Sequence, residues 1–194
     1  MSTTVGTSPV QALAAANTGL DTLADLAPWQ LLDTDVATMV TEIETLTRRL
    51  AGVQLSVIAE GITRGLPFAT GSGTGAGAPG RWVRSLIPIT PGEASGRTRL
   101  AQALFPAAAP GPTGRALADV LAPTREAVLA GTISLEQARV ITTALTTLSP
   151  PATPAGLIDE VTLTGAQRML LSSATGTIET AAIDPHSSPR PPRP

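Results

Sequence analysis

Val36, Ile43, Leu50 and Val57 recur every seven residues, and Met39, Leu46 and Val53 fall between them. An α-helix returns such a series to one face, because each residue advances about 100° and seven close roughly two turns. The stripe predicts a long amphipathic helix over residues 34–63, with Asp33 or Thr34 as its cap. Glu42, Glu44, Arg48 and Arg49 lie largely off the stripe, and Glu44 precedes Arg48 by the favourable four-residue spacing. Gly52 inside this helix costs about 1 kcal/mol against alanine, so packing has to hold the helix together. A seam this long faces either other helices of the same chain or a second copy, through Val36, Ile43, Leu50 and Val57.

Two further helix starts are written in side-chain chemistry. Thr90 is placed to accept a hydrogen bond from the Glu93 amide, Pro91 sits where a missing N–H does no harm, and Glu93 is placed to reach back to Thr90. Ser134 and Gln137 repeat the arrangement one element later. Short helices with such sharp entries imply an all-α fold. We expect a multi-helix bundle with helix-turn-helix-like corners.

The filling of that bundle is constrained by what the chain lacks. Aromatic residues make up 2% of its 194 residues and tyrosine is absent, so Ala, Leu, Val and Ile must form the core. Such a core suits close helix packing. All thirteen basic residues are arginine, which codon usage in a GC-rich genome explains better than phosphate recognition does. Cysteine is absent, excluding disulfides, thiolate metal sites and a cysteine nucleophile. No apolar run approaches the ~20 residues that span a bilayer, and no signal peptide opens the chain, so the expected location is the cytoplasm.

Residues 1–19 read as a disordered leader with a helical turn around 11–16, and residues 20–163 as the helical domain. A short helix at 20–32 ends or bends near Pro28. Residues 71–80 form a Gly-rich flexible linker by composition. No strand precedes these glycines, which excludes a dinucleotide-binding loop. A short helix at 81–87 is broken by Pro88, and a capped helix follows to about Leu104. Residues 106–114 form a Pro/Ala/Gly loop, and Pro123 divides short helical pieces at 115–121 and 124–130. Ser134 starts a helix that runs to about Leu148 and stops at Ser149-Pro150-Pro151. Residues 157–163 and 165–171 read as brief helices, and 164–194 as a divergent, mostly disordered tail. Trp29, Phe68, Trp82 and Phe105 are expected in the core rather than on a stacking platform for single strands.

Several of these segments, in order, resemble an actinobacterial family. The residues are Trp82-Val83-Arg84, Thr90-Pro91-Gly92-Glu93-Ala94, Arg97, Arg99-Leu100-Ala101 and Leu104. They continue with Leu129-Ala130-Gly131 and Ile133-Ser134-Leu135-Glu136-Gln137-Ala138-Arg139-Val140-Ile141. Together they resemble the domain of unknown function 222, or 13E12 repeat family, best over residues 34–150. The resemblance implies a helical domain usually placed ahead of a C-terminal HNH nuclease domain. Three departures bear on that implication. Ser95-Gly96 stands where relatives are arginine-rich, Gln137 stands where histidine is frequent, and the histidine-rich HNH residues are missing. The match fades near Thr164, so a truncated or frame-shifted end is expected. The segment 129–141 is also similar to the helix-turn-helix of ParB-type partition proteins.

No constellation for bond cleavage emerges. His186 is alone in a proline-rich segment, and metal-assisted hydrolysis needs a held ion and a base in a dry cavity. Asp33/Asp35, Glu42/Glu44 and Asp159/Glu160 are spaced so that their carboxylates diverge on a helix. We expect no enzyme activity, no cofactor and no metal. Charge is nevertheless segregated: residues 81–139 carry a net +3 and residues 1–60 a net -5. This leaves double-stranded DNA as a partner, with Arg97, Arg99 and Arg139 on phosphates. The alternatives are helix-mediated dimerisation and a truncated product without activity of its own.

Overall fold

The computed structural model describes residues 8–107, 117–148 and 160–176, which hold helices and turns and no strand. The chain divides into two units, residues 1–43 and 44–194.

The first unit holds helix α1 (Pro9–Ala24), a single 3₁₀ turn at Pro28–Gln30 and the start of α2 (Asp33–Thr63). The disordered leader expected through residue 19 is thus corrected over its described part. Pro9 opens α1, the Ser8 amide donates to Gln11 Oε1 at 3.2 Å, and the alanine-rich run that follows has strong helix propensity. Asp33 is already the first residue of α2. The amides of Asp35 and Val36 donate to the Leu32 carbonyl, so neither Asp33 nor Thr34 acts as the cap. Asp33 and Asp35 instead sit in the first turn, where the helix dipole favours negative charge. Trp29 is 83% exposed, contrary to its expected place in a core, because neither α1 nor the 3₁₀ turn buries any residue.

The second unit contains the rest of α2, then α3 (Leu66–Ala69), α4 (Ala78–Leu86) and α5 (Pro91–Leu104). A helical stretch at 117–120 leads into α6 (Ala122–Ala130), α7 (Leu135–Leu148) and α8 (Glu160–Thr175). Helix α4 packs on α3 and α5, while α7 packs on α5, α6 and α8. Their facing side chains make one core of Leu55, Trp82, Val83, Leu104, Leu121, Val128, Ile133 and Leu145, closed by Leu163 of α8. Aliphatic side chains dominate it, as an aromatic-poor composition requires.

Helix α2 enters this core by close backbone approach. Gly52 lies against the backbone carbonyl of Val128, and Gly61 lies against the indole of Trp82 with no room for a methyl group. The glycine that weakens α2 by propensity is therefore the one that lets it pack. The expected i,i+4 pair is present, with Arg48 Nε 2.7 Å from Glu44 Oε1.

Four other expectations change here. The Gly-rich linker over 71–80 is partly ordered by its successor: Arg81 Nε donates to the Ser72 carbonyl at 2.7 Å and Arg81 Nη2 to that of Thr74 at 3.3 Å. Its last three residues, Ala78, Pro79 and Gly80, are buried in the first turn of α4. The break between the two helical pieces falls at Leu121 rather than at Pro123, which occupies the first turn of α6, where no N–H is needed. The described part of the tail is α8, one continuous helix whose Leu163 and Gln167 are buried, rather than two brief pieces or a disordered end. Gln167 Nε2 donates to Thr124 Oγ1 at 3.2 Å, so a glutamine in the middle of α8 is at home in the core. Phe68 is exposed and Phe105 half-buried, leaving Trp82 as the buried aromatic. Residues 177–194, with His186, and most of the 106–114 loop lie outside the described residues.

Gly61→Val should drive a branched side chain into the Trp82 ring. We expect a loss of about 2–3 kcal/mol in urea unfolding, read in a Trp29→Phe background so that fluorescence reports Trp82 alone.

Candidate interaction surfaces

The corner between α6 and α7 is a helix-turn-helix built from the residues the sequence marks. Gly131 ends α6 in the left-handed region at φ 77°, and its amide donates to the Val128 carbonyl at 3.1 Å. A side chain there would also collide with Thr45 and Arg49 of α2, so glycine is required twice over. The α7 box is complete. The Gln137 amide donates to Ser134 Oγ at 3.2 Å, and the Ser134 amide donates to Gln137 Oε1 at 2.8 Å. Gln137 has a further role that spacing alone does not disclose. Its Nε2 donates to the Ala174 carbonyl at 2.8 Å and ties α7 to the last turn of α8. The α5 box is half made: the Glu93 amide donates to Thr90 Oγ1 at 3.2 Å, but the Glu93 carboxylate turns to Arg97 instead of reaching back.

That turn decides the fate of the three arginines. Arg97 donates to Glu93 and to Gln54 Oε1 of α2, and its side chain is only 25% exposed. It is folded in against two acceptors, whereas Arg99 and Arg139 stay exposed, so the structure separates it from the other two. Arg99 and Arg139 line one cleft of about 330 Å³ between α5 and α7, together with Gly96, Thr142, Thr143 and Thr146. Gly96 keeps the α5 wall low beside the Arg139 guanidinium. Arg139 pairs with Glu136, and Arg99 Nε donates to the Ser95 carbonyl at 3.2 Å. The hydroxyls of Thr142 and Thr146 donate to backbone carbonyls of their own helix. An anion in the cleft would therefore meet guanidinium groups and little else that donates.

The larger feature lies on α2. Of its buried residues in the second unit, Gly52, Leu55, Ile58 and Ala59 share one face turned to the core, and Gly61 lies off that face, under Trp82. Val36, Ile43, Leu46, Leu50, Val53 and Val57 stay between 40 and 64% exposed. At about 100° per residue these six centre roughly 170° from the core-facing side of the same helix. Val40, which the seven-residue count passes over, adds a further exposed branch at the border of the stripe. So α2 carries two apolar faces, and the domain uses one.

Among the described residues no group of three metal-ligating side chains converges, and no helix is long and apolar enough to cross a membrane. No buried side-chain nitrogen or oxygen lacks a hydrogen-bond partner there.

An all-helical domain with a capped helix-turn-helix corner and a long two-faced helix is the class this geometry defines. Residues 37–177 match the family model of the domain of unknown function DUF222, and the chain belongs to that family. The match runs past Thr164, where the sequence resemblance fades, and takes in all of α8. No curated protein and no solved structure matches the chain.

Gln137→Glu should keep the acceptor for the Ser134 amide but lose the donor to Ala174, whereas Gln137→Ala loses both. Native-state hydrogen exchange should show α8 amides loosened in both variants, and α7's first turn loosened by about 1 kcal/mol in Gln137→Ala alone.

Proposed function

We propose that this domain is a non-catalytic helical scaffold that self-associates through the outer face of α2. One observation carries the reading: a regular series of large aliphatic side chains stands in solvent on the face opposite the core. A chain that must fill its core with so few large side chains leaves these out, and contiguous apolar surface of this kind marks interaction sites. Seven-residue spacing is what a helix partner reads, because it keeps a seam in register along a paired helix. Leu50, near the middle of the series, is the position where a charge should do most harm. Leu50→Glu should raise the dimer dissociation constant at least about a hundredfold in sedimentation equilibrium, with helicity unchanged by circular dichroism. A wild-type chain that sediments as a monomer across the accessible range sinks the proposal.

A second reading is favoured by the cleft that Arg99 and Arg139 share: a module that positions a nuclease domain on duplex DNA. Arg97 drops out of the contact set because its side chain is mostly buried and held by both Glu93 and Gln54. Duplex titration at two salt concentrations tests this. Arg99→Ala/Arg139→Ala should flatten the salt dependence by up to two phosphate contacts, while Arg97→Ala should leave it unchanged. Equal salt slopes for wild type and the double variant rule the cleft out.

A further inference from the structure

Taking self-association through α2 as the premise, we infer that the occupant of its outer face is a second α2 running antiparallel, locked in one register by Glu42 and Arg49. Helix α2 is uninterrupted from Asp33 to Thr63, so its flanks can be read directly. With Val36, Ile43, Leu50 and Val57 on one line of the seam and Met39, Leu46 and Val53 on the other, one flank carries Asp35, Glu42, Arg49 and Ser56. The opposite flank carries Asp33, Val40, Thr47 and Gln54. Between Val36 and Val57 all the charge sits on one side.

That asymmetry discriminates between orientations. In a parallel pair each flank meets the other flank of its partner, which sets Glu42 against Thr47 and Arg49 against Gln54 and leaves every charge unmatched. In an antiparallel pair like flanks meet. Ile43 then layers on Leu46 of the second copy, Met39 on Leu50 and Val36 on Val53. Glu42 faces Arg49 twice, once on each side of the two-fold axis. Sliding by one heptad in one direction sets Arg49 against Arg49 and brings Val36 onto Glu60. Sliding in the other sets Glu42 against Glu42 and shortens the apolar overlap. Only the central register pairs Glu42 with Arg49 without setting like charges together, and it layers the series from Val36 to Val53, with Val57 beyond the last layer.

The two side chains are available for this. Both are exposed, and neither has an ion-pair partner among the described residues, whereas the adjacent Arg48 is held by Glu44. The aliphatic stem of Arg49 packs beside Gly131, which places its root at the margin of the seam. The domain packs on the other face of α2 and reaches this side at Gly61, under Trp82, which leaves Val36, Ile43, Leu46, Leu50, Val53 and Val57 exposed to a second helix.

Charge reversal and cross-linking test the register. Glu42→Arg and Arg49→Glu should each weaken the dimer about tenfold at low ionic strength, and the double reversal should return it to near wild-type affinity. Because the chain has no cysteine, introduced ones report cleanly. The double variant Glu42→Cys/Arg49→Cys should form a covalent dimer on oxidation. Within one helix these positions are about 10 Å apart, beyond disulfide reach. Either single cysteine should fail to cross-link. A wild type that dimerises while Leu50→Cys cross-links to itself, or while the double reversal fails to restore affinity, overturns the antiparallel register and leaves the association standing. A monomeric wild type overturns both.

Discussion

The close approach of α2 to Val128 and Trp82 is the contact on which the rest of the second unit depends. Gly52 and Gly61 remove the side chains that would hold the helix off, and Leu55 and Ile58 then reach the centre of the core. In a chain with so few aromatic residues, dense packing has to come from backbones drawn together rather than from large side chains interdigitating. Drawing one face of α2 in this tightly fixes its rotation, and the rotation is what turns Leu46, Leu50, Val53 and Val57 outward. The apolar stripe is exposed as a consequence of how well the opposite face is buried.

The helix-turn-helix corner is tied to the same contact. Gly131 fits beside Thr45 and Arg49 only because it lacks a side chain, so the turn between α6 and α7 rests on the flank of α2. Gln137 extends the connection to the end of α8, and the Gln167–Thr124 bond joins α8 to α6. Polar side chains thus join helices at two points where aliphatic contact alone would leave their relative position loose. The arginines are placed by these constraints. Arg97 is folded in against Glu93 and Gln54, while Arg99 and Arg139 remain at a cleft edge.

Local signals were legible wherever they rested on side chain to backbone chemistry. Thr90, Ser134 and Gln137 form hydrogen bonds that spacing foretells, because a cap involves residues three apart and no tertiary partner. Glu93 departs from its box because Arg97, one turn later, offers a charged partner that outweighs a backbone amide. Helix α1 was legible only as a turn around residues 11–16, because its alanines carry no amphipathic pattern. Helix α8 was legible only as two brief pieces because Thr and Gly interrupt its apolar spacing and its buried face includes Gln167, whose partner lies 43 residues away. The Gly-rich stretch before α4 looks featureless until Arg81 folds back onto the carbonyls of Ser72 and Thr74.

By itself the sequence determined that the chain is helical, where its capped helices begin, and that α2 bears a seam at seven-residue spacing. These follow from periodicity and from bonds made within a single turn. Tertiary structure alone decided which face of α2 is buried, which arginines stay exposed, and that the segment after residue 159 belongs to the domain. Those outcomes depend on contacts between residues far apart in the chain, and no local pattern encodes which of two apolar faces a neighbouring helix will cover.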